Sequence, residues 1–396
     1  MDKYNEILTR GVENIIPNKE SLEKLLASGK KLNIYLGIDP TATRIHIGHA
    51  VPLRKIQSFV ELGHNVTFLI GDFTALIGDT SDKDNERPIL TYEQIQENFK
   101  TYKKQAEKIL DFSKIKVVRN SEWLGKLTFT EVVKLCQHFS VGDFASRELI
   151  RKRLDGGSRV GLHEFLYPVM QGYDSFMLDT DIQVGGTDQT FNMQAGRTLL
   201  KDLKNKESFV MALGFLEGTD GRKMSKSWDN AIWLEDPANE MFGKIMSVSD
   251  NVLPNYFRLA TKLSDQEVDE KIGRLKKGEN PMNLKKELAF KIVSELHSNE
   301  VAKKAQEFFE STFQNRKINE SEINEISLKS EPPSLVDLLV DSKLVESRTE
   351  AKRLILANAV EIDGKVVNDP KEEIHLGSTP IIVKVGKKKF AKIKSE

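Results

Sequence analysis

Two clusters of polar residues in this chain suit chemistry on phosphates. The first is Asp39-Pro40-Thr41-Ala42-Thr43-Arg44-Ile45-His46-Ile47-Gly48-His49. It follows a short apolar run and opens a helical pattern, so His46 and His49 can both face the space at a helix N-terminus. Free backbone N–H groups and the helix dipole favour an anion there, and Gly48 lets a ligand approach the backbone closely. The second is Gly221-Arg222-Lys223-Met224-Ser225-Lys226-Ser227, a polar loop in which Lys223 and Lys226 can reach the same phosphates. Each has a plainer reading alone: two histidines at a helix start, and a solvated basic loop. A third group is Tyr167, Gln171 and Asp174. Steps of four and three put them on one helical face, while Phe165, Leu166, Val169, Met170, Phe176 and Met177 around them are apolar. A buried carboxylate needs a partner, and a substrate phenol or ammonium group would serve. The plainer reading is the wet face of an amphipathic helix.

The elements that must hold these groups follow from periodicity. Residues 32–38 form an apolar run suited to a buried parallel strand. A helix is expected from His49 to Leu62, then Gly63-His64-Asn65 and a strand over Val66–Ile70. Strand–helix–strand is the opening of a doubly wound parallel sheet. Residues 1–30 read as helical. Further helices are expected over 91–111, 129–139, 162–180 and 187–204, with strands at Ile115–Val118 and Phe209–Gly214. Residues 238–315 lack strand patterns, and Leu284, Leu288, Ile292 and Leu296 recur at helical spacing. A polar stretch ending in Pro332-Pro333 reads as a linker. Ser334–Ile393 reads as two helices and short strands, with a lysine-rich tail over Lys384–Lys394.

The chain has 396 residues, 59 basic and 59 acidic, 39% hydrophobic and 30% charged, with mean hydropathy −0.40. That is too apolar for a disordered chain, and zero net charge excludes a globally basic binder. No uncharged apolar run approaches the roughly 18 residues of a membrane span, and the N-terminus lacks a signal-peptide pattern. One cysteine, Cys136, excludes an intrachain disulfide and an all-cysteine metal site. A cytoplasmic protein is expected. Cys136 and the three tryptophans, Trp123, Trp228 and Trp233, read as packing or loop anchors. His138, His163, His297 and His375 have no metal-like partners.

Together, the His-Ile-Gly-His stretch and the later Lys-Met-Ser-Lys-Ser loop resemble the signatures of class I aminoacyl-tRNA synthetases. In that chemistry an amino-acid carboxylate attacks the α-phosphate of ATP and pyrophosphate leaves. The carboxylate is already a nucleophile, so alignment and charge stabilisation are what the protein must supply. Ile34–Thr41, Leu76-Ile77-Gly78-Asp79, Tyr167–Asp174 and Gly185-Gly186-Thr187-Asp188-Gln189 resemble the tyrosyl-tRNA synthetase family, over nearly the whole chain. The intact second signature and Gly185–Asn192 are similar to the second of its two bacterial types.

The resemblance implies an α/β fold in which a Rossmann-like doubly wound catalytic domain (1–236) precedes an α-helical anticodon-stem domain (237–317), a linker (318–333) and a small α+β RNA-binding domain of the S-four type (334–396). It implies that Tyr35 and Asp174 hold the substrate phenol, that Asp79, Tyr167 and Gln171 hold its ammonium group, and that Gln189 lies near its carboxylate. Asp188 would meet the ATP ribose, and Gly37 and Asp39 would line the same cleft. Thr41, His46, Lys83, Arg87, Lys223 and Lys226 would contact phosphates, with Gly48 at the backbone approach and His49 nearer the ribose. Arg348, Lys352 and Arg353 would meet RNA, and Lys276, Lys277, Lys285 and Lys286 are candidates on the helical domain. ATP is the implied second substrate, with Mg²⁺ carried on its phosphates and no protein metal site. Tyrosine and its tRNA are the implied partners, and the family implies a homodimer. Leu36, where some relatives have a small polar residue, and Pro52 depart from the pattern and touch only ribose contacts. Other readings are a nucleotidyl transferase sharing the first signature, the related tryptophan enzyme, and an RNA-binding protein with a decayed site.

Charge is unevenly spread. Residues 333–396 hold 12 basic and 10 acidic residues, so they carry 12 − 10 = +2, and the rest carry 47 − 49 = −2. The excess of positive charge sits where RNA would arrive.

Overall fold

The structure is a computed structural model. It describes residues 4–78, 90–225, 228–314, 325–328, 334–370, 372, 374, 376, 380–386 and 389–395. The chain divides into two compact units, Met1–Ala302 and Lys303–Glu396.

The first unit is built on a sheet of order β1-β6-β5-β2-β3-β4, with β1 Val12–Ile16, β2 Asn33–Ile38, β3 Asn65–Ile70, β4 Lys116–Arg119, β5 Ile182–Gly186 and β6 Phe209–Leu213. All neighbours are parallel except β1 and β6. From β2 the chain winds outward to β3 and β4, then returns to build β5 and β6 on the other side. The carboxyl ends of β2 and β5 therefore flank the point where the winding reverses, the place where such sheets hold ligands.

The amino-terminal segment is not continuously helical. Helices Asn5–Thr9 and Lys19–Ala27 flank β1, because Gly11 at φ +68° stops the first of them. β1 is short, and Glu13 and Asn14 face outward from it, so no alternation marks it in sequence. The expected helix after β2 runs Ile47–Glu61, with His46 as its N-cap, and it buries Ile47, Val51, Leu53, Ile56 and Phe59. Pro52 lies inside this helix and has no N–H, so it cannot bond the Gly48 carbonyl. Helices Leu162–Met177 and Thr190–Lys204 approach closely at small residues. A Cβ on Gly172 would lie 3.0 Å from the Ala195 backbone, and one on Gly196 would overlap Ser175.

Helices Ala238–Met246, Leu253–Ala260, Asp265–Lys276 and Pro281–Leu296 pack into this same unit. Leu284, Leu288 and Ile292 are fully buried, as their spacing predicts. Two cations tie these helices to the sheet region. Arg10 donates to the carbonyls of Arg258 and Thr261, each at 2.8 Å, and to that of Leu263. Arg54, on the Ile47–Glu61 helix, pairs with Glu295 at 2.9 Å, with both side chains nearly buried. Lys285 pairs with Asp250 at 2.5 Å and is itself mostly buried, so it is a structural cation.

The second unit holds a sheet of order β7-β11-β10-β8-β9, with β7 Glu325–Leu328, β8 Val360–Ile362, β9 Lys365–Val366, β10 Ile381–Val385 and β11 Lys389–Ser395. Helices Leu335–Asp341 and Arg348–Leu356 share its core through Leu335, Leu338, Leu339, Ala351 and Ile355. Two expectations change here. β7 lies inside the stretch read as a linker and pairs in parallel with β11. Two strands of the lysine-rich tail, β10 and β11, pair antiparallel: Ala391 and Ile393 are buried in the core while Lys392 and Lys394 alternate with them on the other face. Period-two burial carries the strand, and the lysines hid it.

Candidate active site

A cavity of about 260 Å³ opens at the carboxyl ends of β2 and β5. Strand β2 supplies Tyr35 and Gly37 and, just past its end, Asp39 and Thr41. Strand β5 and the turn after it supply Gln183, Gly185, Asp188 and Gln189. The Leu162–Met177 helix lines the cavity with Tyr167, Gln171 and Asp174, so the spacing seen in sequence does become one face toward the cleft.

At the floor, Asp174 is 2% exposed. Its Oδ1 accepts from Trp123 Nε1–H at 2.7 Å and its Oδ2 from Asn120 Nδ2–H at 3.2 Å. Burial pushes its pKa up to about 8, against the lowering effect of those two donors. Burial and the nearby Asp174 charge also hold the Tyr35 phenol well above its ordinary value. Asp39 accepts from Tyr167 Oη–H at 2.9 Å and from Thr74 Oγ1–H at 2.8 Å. Gly71 lies against this carboxylate, which a side chain there would displace.

A second cavity of about 400 Å³ adjoins the first and shares Thr41, His49 and Asp188 with it; His46, Gly48, Gly186, Lys223 and Trp233 complete its chemistry. The His46 and His49 rings stack with centroids 3.8 Å apart, and the His46 backbone N–H donates to His49 Nδ1 at 3.3 Å. Burial, then the charges of His49 and Lys223, lower the His46 pKa to about 2, so its ring is neutral. Its Nδ1 is buried without a hydrogen-bond partner in the structure. A Cβ on Gly48 would come within 2.9 Å of that nitrogen, so glycine is what lets the ring lie there. Lys223 reaches across to Asp188 at 3.3 Å. Its loop is shaped by Asn230, which accepts from Ser225 N–H at 2.8 Å and donates to Asp220 at 2.7 Å.

Of the residues singled out in sequence, the structure brings together Tyr35, Gly37, Asp39, Thr41, His46, Gly48, His49, Tyr167, Gln171, Asp174, Asp188, Gln189 and Lys223 around the two cavities. Asp79, Lys83, Arg87 and Lys226 lie outside the described residues. Leu36 is core and lines neither cavity. Arg348, Lys352 and Arg353 are exposed on one helix of the second unit, with Arg348 paired to Asp337. Trp123 and Trp233 are more than anchors: Trp123 donates to Asp174, and Trp233 carries the Arg44 guanidinium 4.6 Å above its ring and sits beside His46. Asn120, Ser175 and Gln183 carried no local signal. The one clue for Asn120 and Trp123 is that they follow a strand end in a parallel sheet.

Residues 27–314 match the family described as tRNA synthetases class I (W and Y), and residues 316–393 match a tyrosine–tRNA ligase SYY-like C-terminal domain. The tyrosine–tRNA ligase of Carboxydothermus hydrogenoformans is 43% identical, covering 98% of this chain and 97% of that protein. That of Thermotoga maritima is 41% identical, covering 98% and 96%. Among solved structures, the tyrosyl-tRNA synthetase of Archaeoglobus fulgidus complexed with L-tyrosine superposes with a TM-score of 0.61 at 25% identity, over 77% of this chain and all of that one. A C-terminally truncated mitochondrial tyrosyl-tRNA synthetase from Aspergillus nidulans gives 0.67 at 21% identity, over 78% and 94%, and shares the fold.

Proposed function

The chain belongs to the class I tRNA synthetases of the tryptophan and tyrosine group, and from that premise we propose how its cleft divides the work. The enzyme is a tyrosine–tRNA ligase: it joins tyrosine to ATP as tyrosyl-adenylate with release of pyrophosphate, then passes the tyrosyl group to the terminal adenosine of its tRNA. The first cavity receives tyrosine. The observation that carries this reading is the buried Asp174 and Tyr35 pair at its floor, polar groups that a phenol hydroxyl satisfies and an indole does not reach in the same way. Tyr167 and Gln171, with Asp79 from outside the described residues, hold the ammonium group, and Gln189 lies by the carboxylate.

The second cavity receives the phosphates and ribose. Thr41, neutral His46, Lys223 and Lys226 stabilise charge as it moves onto pyrophosphate, joined by Lys83 and Arg87; His49 and Asp188 face the ribose, and Gly37, Gly48 and Asp39 leave room for it. In this structure burial, ahead of the His49 and Lys223 charges, keeps the His46 ring uncharged, which suits it to meet an arriving phosphate as a hydrogen-bonding dipole. The lining offers cationic and neutral groups, with Asp188 already paired to Lys223, which suits a magnesium ion carried in on ATP better than one caged by the protein. That ion neutralises phosphate charge when bound. Nothing in this step needs a protein nucleophile or base, because the tyrosine carboxylate attacks and pyrophosphate takes the electron pair.

We read residues 1–236 as the catalytic domain, 237–317 as the anticodon-stem domain and 334–396 as an RNA-binding module in which Arg348, Lys352 and Arg353 meet phosphates. Phe129 is 84%, Val141 76% and Leu162 80% exposed, and Val133 is exposed as well. Exposed large apolar side chains of this kind fit a homodimer, which sedimentation would test. No described helix is long and apolar enough to cross a membrane; the cytoplasm, where tRNA is charged and used, is the compartment we assign. The deciding experiment is ATP–pyrophosphate exchange with each of the twenty amino acids. Tyrosine alone should support it; exchange with tryptophan, or with none, would overturn the reading.

A further inference from the structure

Behind the phenol end of the cleft lies a buried chain of three polar side chains. Tyr35 Oη is 2.8 Å from Ser175 Oγ, which is 3.1 Å from Gln183 Oε1. Ser175 lines neither cavity. The Thr190–Lys204 helix closes directly over it, since a Cβ at Gly196 would overlap the serine hydroxyl. The hydroxyl is thus packed between that helix and the two side chains it bonds.

The protons in this chain have two consistent orders. With the Gln183 carbonyl facing it, Ser175 donates to Gln183 and accepts from Tyr35 O–H. With the carboxamide turned over, its NH₂ donates to Ser175, Ser175 donates to Tyr35, and the Tyr35 O–H is aimed into the cleft. Both orders keep Ser175 bonded to Tyr35 on one side and to Gln183 on the other; they differ in whether the Tyr35 proton points to Ser175 or into the cleft. We propose that Ser175 is a positioning residue that gives the Tyr35 hydroxyl a partner whichever ring fills the cleft, and that it thereby limits how strongly a ring without a hydroxyl is rejected. The inference rests on Tyr35 meeting the substrate phenol. With tyrosine bound, Tyr35 turns its proton to the phenol oxygen and accepts from Ser175. With phenylalanine bound, Tyr35 returns that proton to Ser175 and no donor is orphaned. Rejection of phenylalanine then falls on Asp174.

The test uses the full-length enzyme and four forms: wild type, Ser175→Ala, Tyr35→Phe and the double variant. Tyrosine is followed by its KM in pyrophosphate exchange, and phenylalanine by its inhibition constant against that exchange. In Ser175→Ala the phenylalanine constant should rise roughly five- to a hundredfold, the cost of one buried unpaired donor, while the tyrosine KM rises about threefold or less. In the Tyr35→Phe background the same substitution should leave the ratio of the two constants where it was, because no donor remains to be orphaned. A ratio that stays level or falls in Ser175→Ala overturns the inference, as does an equal rise in the Tyr35→Phe background. Weaker binding of both amino acids alike means a packing role only and also overturns it. If Tyr35→Phe leaves the tyrosine KM unchanged, what fails is the placement of Tyr35 against the phenol.

Discussion

The floor of the cleft and its mouth hang from the ends of the same strands, yet they handle charge in opposite ways. At the floor, Asp174, Asp39 and Tyr35 are each met by protein donors or acceptors before any ligand arrives, and Asp174 and Tyr35 are buried. At the mouth, His46 presents an unpartnered buried nitrogen, and Lys223 is lent to Asp188 across a half-exposed gap. Such a floor judges a substrate through Asp174, which has one protein donor on each oxygen and room for a further bond that a ring without a hydroxyl does not make. At the mouth, the Lys223 cation is held by an exposed ion pair, so it stays available for the phosphates we propose it meets.

The difference can be broken at its strongest point first. Asp174→Ala removes the carboxylate that both Trp123 and Asn120 address, and the kcat/KM for tyrosine should fall about a thousandfold in exchange assays, with KM carrying much of the loss. A fall confined to kcat would make the floor a catalytic device and erase the contrast. Lys223→Ala should lower kcat about a hundredfold and leave the tyrosine KM alone, as for loss of one charge-stabilising group; a raised KM for tyrosine would place that lysine at the floor.

The third prediction concerns proton binding. Asp174 has a folded pKa of about 8 against 3.8 unfolded. Between these values the folded state holds a proton that the unfolded state has lost, so this group's contribution to stability falls as pH rises, by about 1.4 kcal/mol or tenfold in the folding constant per unit. Asp174→Asn should lose that slope in denaturant titrations from pH 5 to 7, and parallel curves for the two proteins would show an ionised floor. The smallest effect is expected from deleting residues 316–396, which should change tyrosine-dependent exchange by no more than about twofold while tRNA charging collapses. The cut must precede β7, because a chain ending at residue 333 keeps a strand torn from its sheet.

Sequence revealed the parts of this site that repeat on a local period. Tyr167, Gln171 and Asp174 share a face by helical spacing, and His46 and His49 flank a helix start that the preceding strand predicts. The donors to Asp174 were invisible because Asn120 and Trp123 are joined to it only through the winding of the sheet, 54 and 51 residues away. In the fold, long apolar strands such as β2 and β3 announced themselves. β1 did not, being a short edge strand with two outward polar residues, and β11 did not, because lysines on its wet face outweighed Ala391 and Ile393 on its dry one. Burial on one face only is what a composition-weighted reading misses.

The Arg54–Glu295 pair has a mechanical consequence. The helix that begins at the stacked histidines is a rod of about 22 Å, and this bolt joins it to the longest helix of the 238–296 region. Sliding that region past the rod would strand a buried guanidinium from its carboxylate, at a cost on the order of 3–5 kcal/mol. It is cheaper to carry the rod along. The pair therefore fixes the 238–296 region to the same helix that carries the stacked His46 and His49 at its start.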